Sequence, residues 1–224
     1  MRNVSLVSIM IFLSFFLGCH SNGKLLKRAL VPTDVQIMRY HVKEDFKSLE
    51  EFTRRLYLKN PKYEKDLEMR KKKIRRIFQG KELLDTGFNN EPSHKVLEAA
   101  FEADSPYEDR VFLLSLGLTK SIREAYNIEE GLFLSSMEVS LEKLEKLYHN
   151  ISHVNWRLKV YCDEQGNLLF LTNEPGEEGY INMGYEVIMT EIMTRIKDDI
   201  FLRGGTPPKL FFNMSTLFLS ILIF

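Results

Sequence analysis

Cysteine is scarce in this chain of 224 residues, which contains only two, Cys19 and Cys162. A small exported domain held together by disulfides usually needs more than one possible pair. If Cys19 has another use, Cys162 has no partner within the chain and burial of apolar side chains must hold the fold. The hydrophobic fraction of 44% and the 16 phenylalanines are compatible with such a core.

An excess of charge is also missing, because 31 Lys and Arg residues balance 31 Asp and Glu residues. Proteins that mainly bind nucleic acid usually need excess positive charge to displace counterions, so we expect no nucleic-acid partner. We also find no catalytic motif, no nucleotide-binding loop and no metal-binding motif. The sequence therefore predicts a non-enzymatic protein without a cofactor.

No apolar run reaches the roughly 20 residues that a membrane-spanning helix needs. Residues 4–17 form an uncharged stretch of 14 residues behind Arg2, which is the layout of an export signal.

Residues 210–224 form a second uncharged run, of 15 residues. As a helix this tail would be about 22 Å long, so we expect it to dip into a membrane or to pack in a groove. A GPI anchor would need a polar spacer of about 8–12 residues, and only residues 207–209 are present. A loosely constrained extension is the third possibility.

The first apolar run ends in Phe16-Leu17-Gly18-Cys19, which resembles the lipobox of bacterial lipoprotein precursors. The resemblance implies that residues 1–18 are removed as a signal peptide and that Cys19 is acylated, anchoring the protein in the cell envelope. His20, in place of an aspartate after the cysteine, implies the outer membrane rather than the inner one of a Gram-negative envelope, facing the periplasm. The alternatives are an ordinary signal peptide with a chance cysteine, or an uncleaved anchor.

Apolar residues at spacings of three and four predict an all-α fold, a compact bundle of about six helices within residues 43–203. The helices are expected over about 48–59, 61–80, 93–103, 106–126, 137–160 and 180–202, with one short extended segment near 168–171. The helix over 106–126 is apolar nearly all round and is expected at the centre. Residues 19–42 are interpreted as a tether with a short strand at 35–38, and residues 204–224 as a linker and apolar tail.

Residues 109–173 resemble a group of uncharacterised, mostly helical lipoproteins of proteobacteria. The resemblance rests on Asp109-Arg110-Val111-Phe112, Gly117-Leu118, Ala125-Tyr126, Asn155-Trp156-Arg157-Leu158 and Leu169-Phe170-Leu171-Thr172-Asn173. It implies a lipoprotein and carries over no activity.

The densest charge cluster is a basic face on the second predicted helix. It consists of Arg70, Lys71, Lys72, Lys73, Arg75 and Arg76. Such a face can bind anionic lipid head groups or a polyanion of the envelope. The alternative is a solvated surface paired with acidic residues elsewhere.

Two other groups of residues have a chemical and a structural interpretation. His149 and His153 are four apart on a helix and could face one metal, but no third ligand is evident and Asn150 stands where a metalloprotease has its glutamate. We expect packed or surface histidines. Cys162 could be a nucleophile with one of these histidines as base, but a buried structural thiol is expected.

Three large side chains in the apolar helices are expected to be structural. Arg110 and Arg157 must be paired if buried, for instance with Asp109 or a carbonyl at a helix end. Trp156, the single tryptophan, is expected to anchor the core.

These patterns favour a membrane-anchored scaffold or accessory subunit that binds another envelope protein. One alternative is an enzyme acting on an envelope polymer, with carboxylates such as Asp109 or Glu124 meeting in a cleft. Another is binding of anionic lipid or a polyanion through residues 71–76.

Overall fold

The computed structural model describes residues 31–79, 87–88, 90–102, 109–128, 136–173, 183–213 and 215–222. Six α-helices lie within them: α1 (Thr33–Lys59), α2 (Leu67–Gln79), α3 (Ser93–Phe101), α4 (Arg110–Ala125), α5 (Leu141–Val160) and α6 (Gly184–Leu202). The β structure of this part of the chain is one antiparallel bridge between Cys162 and Leu168. The predicted all-α fold is therefore confirmed. No helix in the described ranges is long and apolar enough to cross a membrane.

The central position predicted for the fourth helix is confirmed. Of the 16 residues of α4, 13 are buried, and the helix packs against α1, α2, α3 and α5. The contact with α3 requires a glycine, because a Cβ atom at Gly117 would lie 2.7 Å from Leu97 Cδ2 and 3.2 Å from the Leu97 nitrogen. The missing side chain lets the two helix backbones approach closely and fill the middle of the core.

The start of α1 differs from the prediction. The helix begins at Thr33, so neither the strand at 35–38 nor the helix start at Ser48 is correct. Val35, Met38 and Val42 extend the buried stripe that continues through Leu49. The apolar pattern did not predict this longer helix, because the polar residue Asp45 occupies a core-facing position between Val42 and Leu49.

The start of α2 also differs, because Pro61 lies in a turn and the helix begins six residues later. Asp66 provides the capping group, since its carboxylate accepts hydrogen bonds from the backbone N–H of Glu68 at 2.8 Å and of Met69 at 3.3 Å. Asp109 caps α4 in the same manner, accepting from the N–H of Phe112 at 2.9 Å. An aspartate at this position satisfies a backbone donor that the helix cannot pair itself.

Helices α1 and α6 form an antiparallel pair along one side of the domain. Near the beginning of α1, His41 meets Asp199, and near its end the hydroxyl of Tyr185 donates to the Arg55 carbonyl at 2.9 Å. This register places the start of α1 beside the end of α6.

The C-terminal tail does not continue α6 as a helix. In its described residues, 206–213 and 215–222, the tail forms no helix. The Thr216 N–H bonds the Asn213 carbonyl at 3.1 Å, and Phe218 and Ile221 beyond this turn are buried against the domain. Leu169 and Phe170 occupy the predicted extended segment near 168–171 and are also buried. The tail therefore forms part of the folded domain, in the groove-bound arrangement that was one of the sequence-based alternatives.

Candidate functional site

Cys19 and the whole lipobox lie outside the residues that the structure describes, so lipidation stays a prediction. The described chain begins at Val31, whose side chain packs against the core. A tether from Cys19 would therefore reach the domain at the first turn of α1.

Two of the six residues of the predicted basic face bind groups within the protein. Arg70 is buried, and its Nε donates to the Glu64 carbonyl at 2.5 Å. Lys73 bridges two carboxylates, Glu64 at 2.7 Å and Asp109 at 2.6 Å. These two cations stabilise the junction between the turn before α2 and the start of α4, and they are not offered to a ligand.

Four basic side chains of this set still face solvent to some degree. Lys71, Lys72 and Arg75 are exposed and Arg76 is half-buried. Lys71 forms an exposed pair with Glu68 at 2.8 Å, which adds little to stability because water screens it. The face that could meet an anionic surface is therefore this smaller group.

A buried polar cluster links α1, α4 and α6, and nothing in the sequence analysis identified it. Asp199 is fully buried, and its two oxygens bind His41 Nδ1 at 2.7 Å and the Tyr126 hydroxyl at 2.5 Å. The hydrogen bond to Asp199 raises the pKa of His41 above its usual value. A protonated His41 would form a charge-assisted pair with this carboxylate across the α1–α6 contact.

The second half of this cluster lies one turn further along α1. Arg195 Nε donates to Asp45 at 2.5 Å, and its Nη2 donates to the Ser48 hydroxyl at 2.8 Å. Asp45 is fully buried, and desolvation raises its pKa to about 7 although Arg195 opposes the shift. Among the described atoms, Asp45 Oδ2 has no hydrogen-bond partner. The effect of burial on the pKa of Asp45 is therefore larger than the opposite effect of the ion pair with Arg195.

A shallow groove of about 430 Å³ lies between α1 and α6, and Ser48 is the residue that it shares with this cluster. Ser48 and Arg55 line one side, and Val187 and Glu191 line the other. Exposed apolar side chains stand at both ends of the helix pair. They are Ile37, Tyr40 and Phe201 at the end where α1 begins, and Leu58 and Met183 at the other end. We call this surface the α1–α6 face.

The two histidines of α5 are close together, with ring centroids 5.8 Å apart. No group of three or more possible ligands gathers around a metal position in the described ranges. Instead, Arg157 Nε donates to His153 Nε2 at 3.0 Å, and His149 Nε2 lies 3.3 Å from the Leu217 carbonyl. Desolvation, together with the charge of Arg157, lowers the pKa of His153 to about 4. His153 is thus a packed neutral imidazole beneath the tail.

Cys162 is exposed, so the expectation of a buried thiol is wrong. It lies at the β-bridge to Leu168, where the neighbouring Tyr161 turns inward against Phe101. Because side chains alternate in an extended segment, the thiol of Cys162 faces solvent.

The three large side chains predicted to be structural have different outcomes. Arg110 is buried and donates to the carbonyl of Ala100 in the last turn of α3 at 3.1 Å, as expected for a paired cation. Arg157 is buried beneath the tail, where its Nη2 donates to the Thr216 carbonyl at 2.8 Å. Trp156 is only half-buried and stacks on Phe212, so it packs against the tail rather than the core.

Both carboxylates named for a possible enzyme have structural partners. Asp109 caps α4 and accepts from the Tyr57 hydroxyl at 2.8 Å in addition to Lys73. Glu124 accepts from the backbone N–H of Ser93 at 2.7 Å and from its hydroxyl, which fixes the start of α3. Both carboxylates thus stabilise the start of a helix.

The comparisons with known proteins do not assign a family. No protein-family model, no curated protein and no solved structure matches the chain.

Proposed function

We propose that this protein is a lipid-anchored scaffold or accessory subunit of the bacterial envelope, which binds another envelope protein through the α1–α6 face. The anchor in this proposal is Cys19 within Phe16-Leu17-Gly18-Cys19. The proposal does not require chemistry at the site, because a scaffold acts by holding its partner in place.

The observation that carries the proposal is the apolar exposure at both ends of the α1–α6 face. Tyr40 is 61% exposed and Phe201 75% at one end, and Leu58 is 59% and Met183 52% exposed at the other. Large aromatic and methionine side chains are enriched in protein interfaces, where burial of each contributes binding free energy. The polar groove between the two ends, with Arg55 and Glu191, supplies hydrogen-bonding groups.

The position of this surface fits a membrane anchor at the N-terminus. Tyr40 and Phe201 lie at the end of the domain where α1 begins. The residues between Cys19 and Val31 would span at most about 40 Å even if fully extended. The aromatic end of the α1–α6 face would therefore stay close to the membrane surface, within reach of other envelope proteins.

A pull-down in mild detergent tests the proposal. The acylated protein should recover a partner in stoichiometric amount, and the double substitution Tyr40→Asp/Phe201→Asp should reduce that recovery at least tenfold. The matched control is Leu67→Asp, which changes an apolar side chain of similar exposure, 60%, on α2. Recovery of the tagged protein alone, or a partner lost equally in the control, would contradict the proposal.

The two alternative functions make different demands on the molecule. An enzyme acting on an envelope polymer would bring such carboxylates together in a cleft, whereas Asp109 bonds Tyr57 and Glu124 bonds the start of α3. Anionic lipid or polyanion binding is favoured by the exposed Lys72 and Arg75. Flotation of the unacylated protein with anionic vesicles, unchanged by Lys72→Glu/Arg75→Glu, would exclude the second alternative.

A further inference from the structure

The C-terminal tail lies in a groove on α5 that holds its backbone as well as its side chains. The Asn150 amide makes a double contact with Leu219, donating to its carbonyl and accepting from its N–H, both at 2.8 Å. Asn150 is fully buried, so these two bonds satisfy an amide that has no access to water. A side-chain amide used in this way recognises an extended backbone whatever side chain the clamped residue carries.

Arg157 forms the second contact with the tail. Besides its bond to the Thr216 carbonyl, its guanidinium lies 4.5 Å from the ring centroid of Phe218 and 4.5 Å from that of Tyr161. The Phe101 ring lies 5.5 Å from the same guanidinium. The aromatic ring of the tail therefore completes a set of three rings around this buried cation.

Two side chains of the tail, three positions apart, enter the groove. Phe218 and Ile221 are buried, whereas Leu217 and Leu219 are exposed. The groove thus selects an aromatic residue followed three positions later by an aliphatic one, and it accepts any residue at the outward positions.

We propose that this groove, the α5 groove, binds an extended apolar segment of a partner protein, and that residues 216–221 occupy it as an intramolecular competitor. This inference rests on the proposed function, since it names a second surface through which the scaffold holds another protein. The partner segment would carry an aromatic residue and an aliphatic residue three positions apart, in an extended conformation with both backbone groups free for Asn150.

The attachment of the tail suits such an exchange. Gly205 closes the end of α6, because its N–H bonds the Ile200 carbonyl at 2.9 Å and a Cβ there would clash with Leu141 Cδ1. Residues 206–209 then connect it to the tail. The hydrogen bonds between residues 216–219 and α5 use side chains of α5, so a partner segment can replace them one for one. A short connection keeps the tail at a high effective concentration near the groove, so the tail weakens binding in trans.

Fluorescence anisotropy with a defined peptide tests this inference. The probe is a fluorescein-labelled peptide of residues 213–222 with two added lysines for solubility, and the protein is the full chain with Cys19→Ser. The tail is released by Phe218→Asp/Ile221→Asp. The released variant should bind the peptide at least tenfold more tightly than the unreleased protein. Adding Asn150→Ala should remove at least tenfold of that affinity.

Several controls keep the outcome decisive. Circular dichroism and thermal unfolding establish that the released variant is folded, and the milder Phe218→Ala gives the same comparison if it is not. A folded variant that binds no peptide, or one whose binding ignores Asn150→Ala, overturns the inference. A wild-type dimer that dissociates on Phe218→Asp would assign the groove to the tail of a second copy and also overturn it.

Failure of this inference is separable from failure of the proposed function. If the released variant binds no peptide while Tyr40→Asp/Phe201→Asp still loses the partner, the α5 groove is structural and the scaffold proposal stands. If Tyr40→Asp/Phe201→Asp keeps the partner, the peptide result alone decides whether the α5 groove binds protein segments.

Discussion

Replacing Arg195 by leucine is expected to destabilise the protein by about 3–5 kcal/mol at pH 9, because it leaves the Asp45 carboxyl buried without its cation. Asp45 is fully buried, and its Oδ1 accepts from Arg195 Nε at 2.5 Å. The Ser48 hydroxyl loses its donor from the same guanidinium. Urea denaturation followed by circular dichroism measures the change in the free energy of unfolding.

The cost of Arg195→Leu should grow with pH. The folded pKa of Asp45 is about 7, against a usual value of 3.8, so the native protein binds the extra proton between these values. In the wild type this carboxyl makes stability fall as pH rises from about 4 to about 7. Without Arg195 its pKa rises further, so the cost of the substitution increases by about 1.4 kcal/mol for each pH unit above 7 until the new pKa is reached.

A double substitution provides the control for this prediction. Asp45→Leu/Arg195→Leu removes both charges, and it should recover most of the stability that Arg195→Leu loses. A single variant that is equally costly at pH 5 and pH 9 would contradict the account of Asp45, as would a double variant no more stable than the single one.

Asp199→Ala is expected to cost about 3–5 kcal/mol, since it removes one buried carboxylate that holds groups on two other helices. His41 on α1 and Tyr126 after α4 both bond to Asp199. The adjacent Asp198 is exposed, so Asp198→Ala is the matched control and should change stability by no more than about 0.5 kcal/mol.

The pH dependence of Asp199→Ala should have the opposite sign to that of Arg195→Leu. Asp199 raises the pKa of His41 above 6.5, so this pair contributes stability that is fully present below 6.5 and is lost as pH rises through the folded pKa. Asp199→Ala should therefore cost more at pH 6 than at pH 9. Urea denaturation at these two values measures it, and an equal or reversed cost would show that His41 is not charged in the fold.

The sequence predicted the helices wherever local spacing carries the information. The stripe of α5, with Leu144, Ile151, Val154 and Leu158 inside, and the nearly uniform apolar surface of α4 both follow from neighbours three and four residues apart. Caps were less predictable, since Ser, Asp and Pro near a helix start compete and packing decides among them.

The site residues escaped prediction because their partners are distant in sequence. Asp45 interrupts an apolar stripe and would look like a helix boundary, until Arg195 on α6 meets it across the core. Asp199 stands between Ile196 and Ile200, where the periodicity calls for an apolar side chain. A charged residue at a core-facing position of an otherwise regular stripe is thus the local signal that could have identified the cluster.

The arrangement of the basic face and of the tail could not be predicted for the same reason, because the residues that bind them are distant in sequence. Local composition made Arg70 and Lys73 members of a uniform basic surface, but Glu64 and Asp109 bind them internally. The apolar composition of the tail left membrane and groove as alternatives. Asn150 and Arg157 explain why the tail lies in the groove. Their side chains bind backbone carbonyls of the tail, which would have no hydrogen-bond partner inside a membrane.

We propose that a lipid at Cys19 anchors the protein. Mass spectrometry of the intact protein and of its N-terminal peptide, purified from the membrane fraction beside a Cys19→Ala variant, tests it most directly. We predict a diacylglyceryl-modified Cys19 as the first residue, absent from the variant. An unmodified N-terminus, or one cut at another position, would contradict the account.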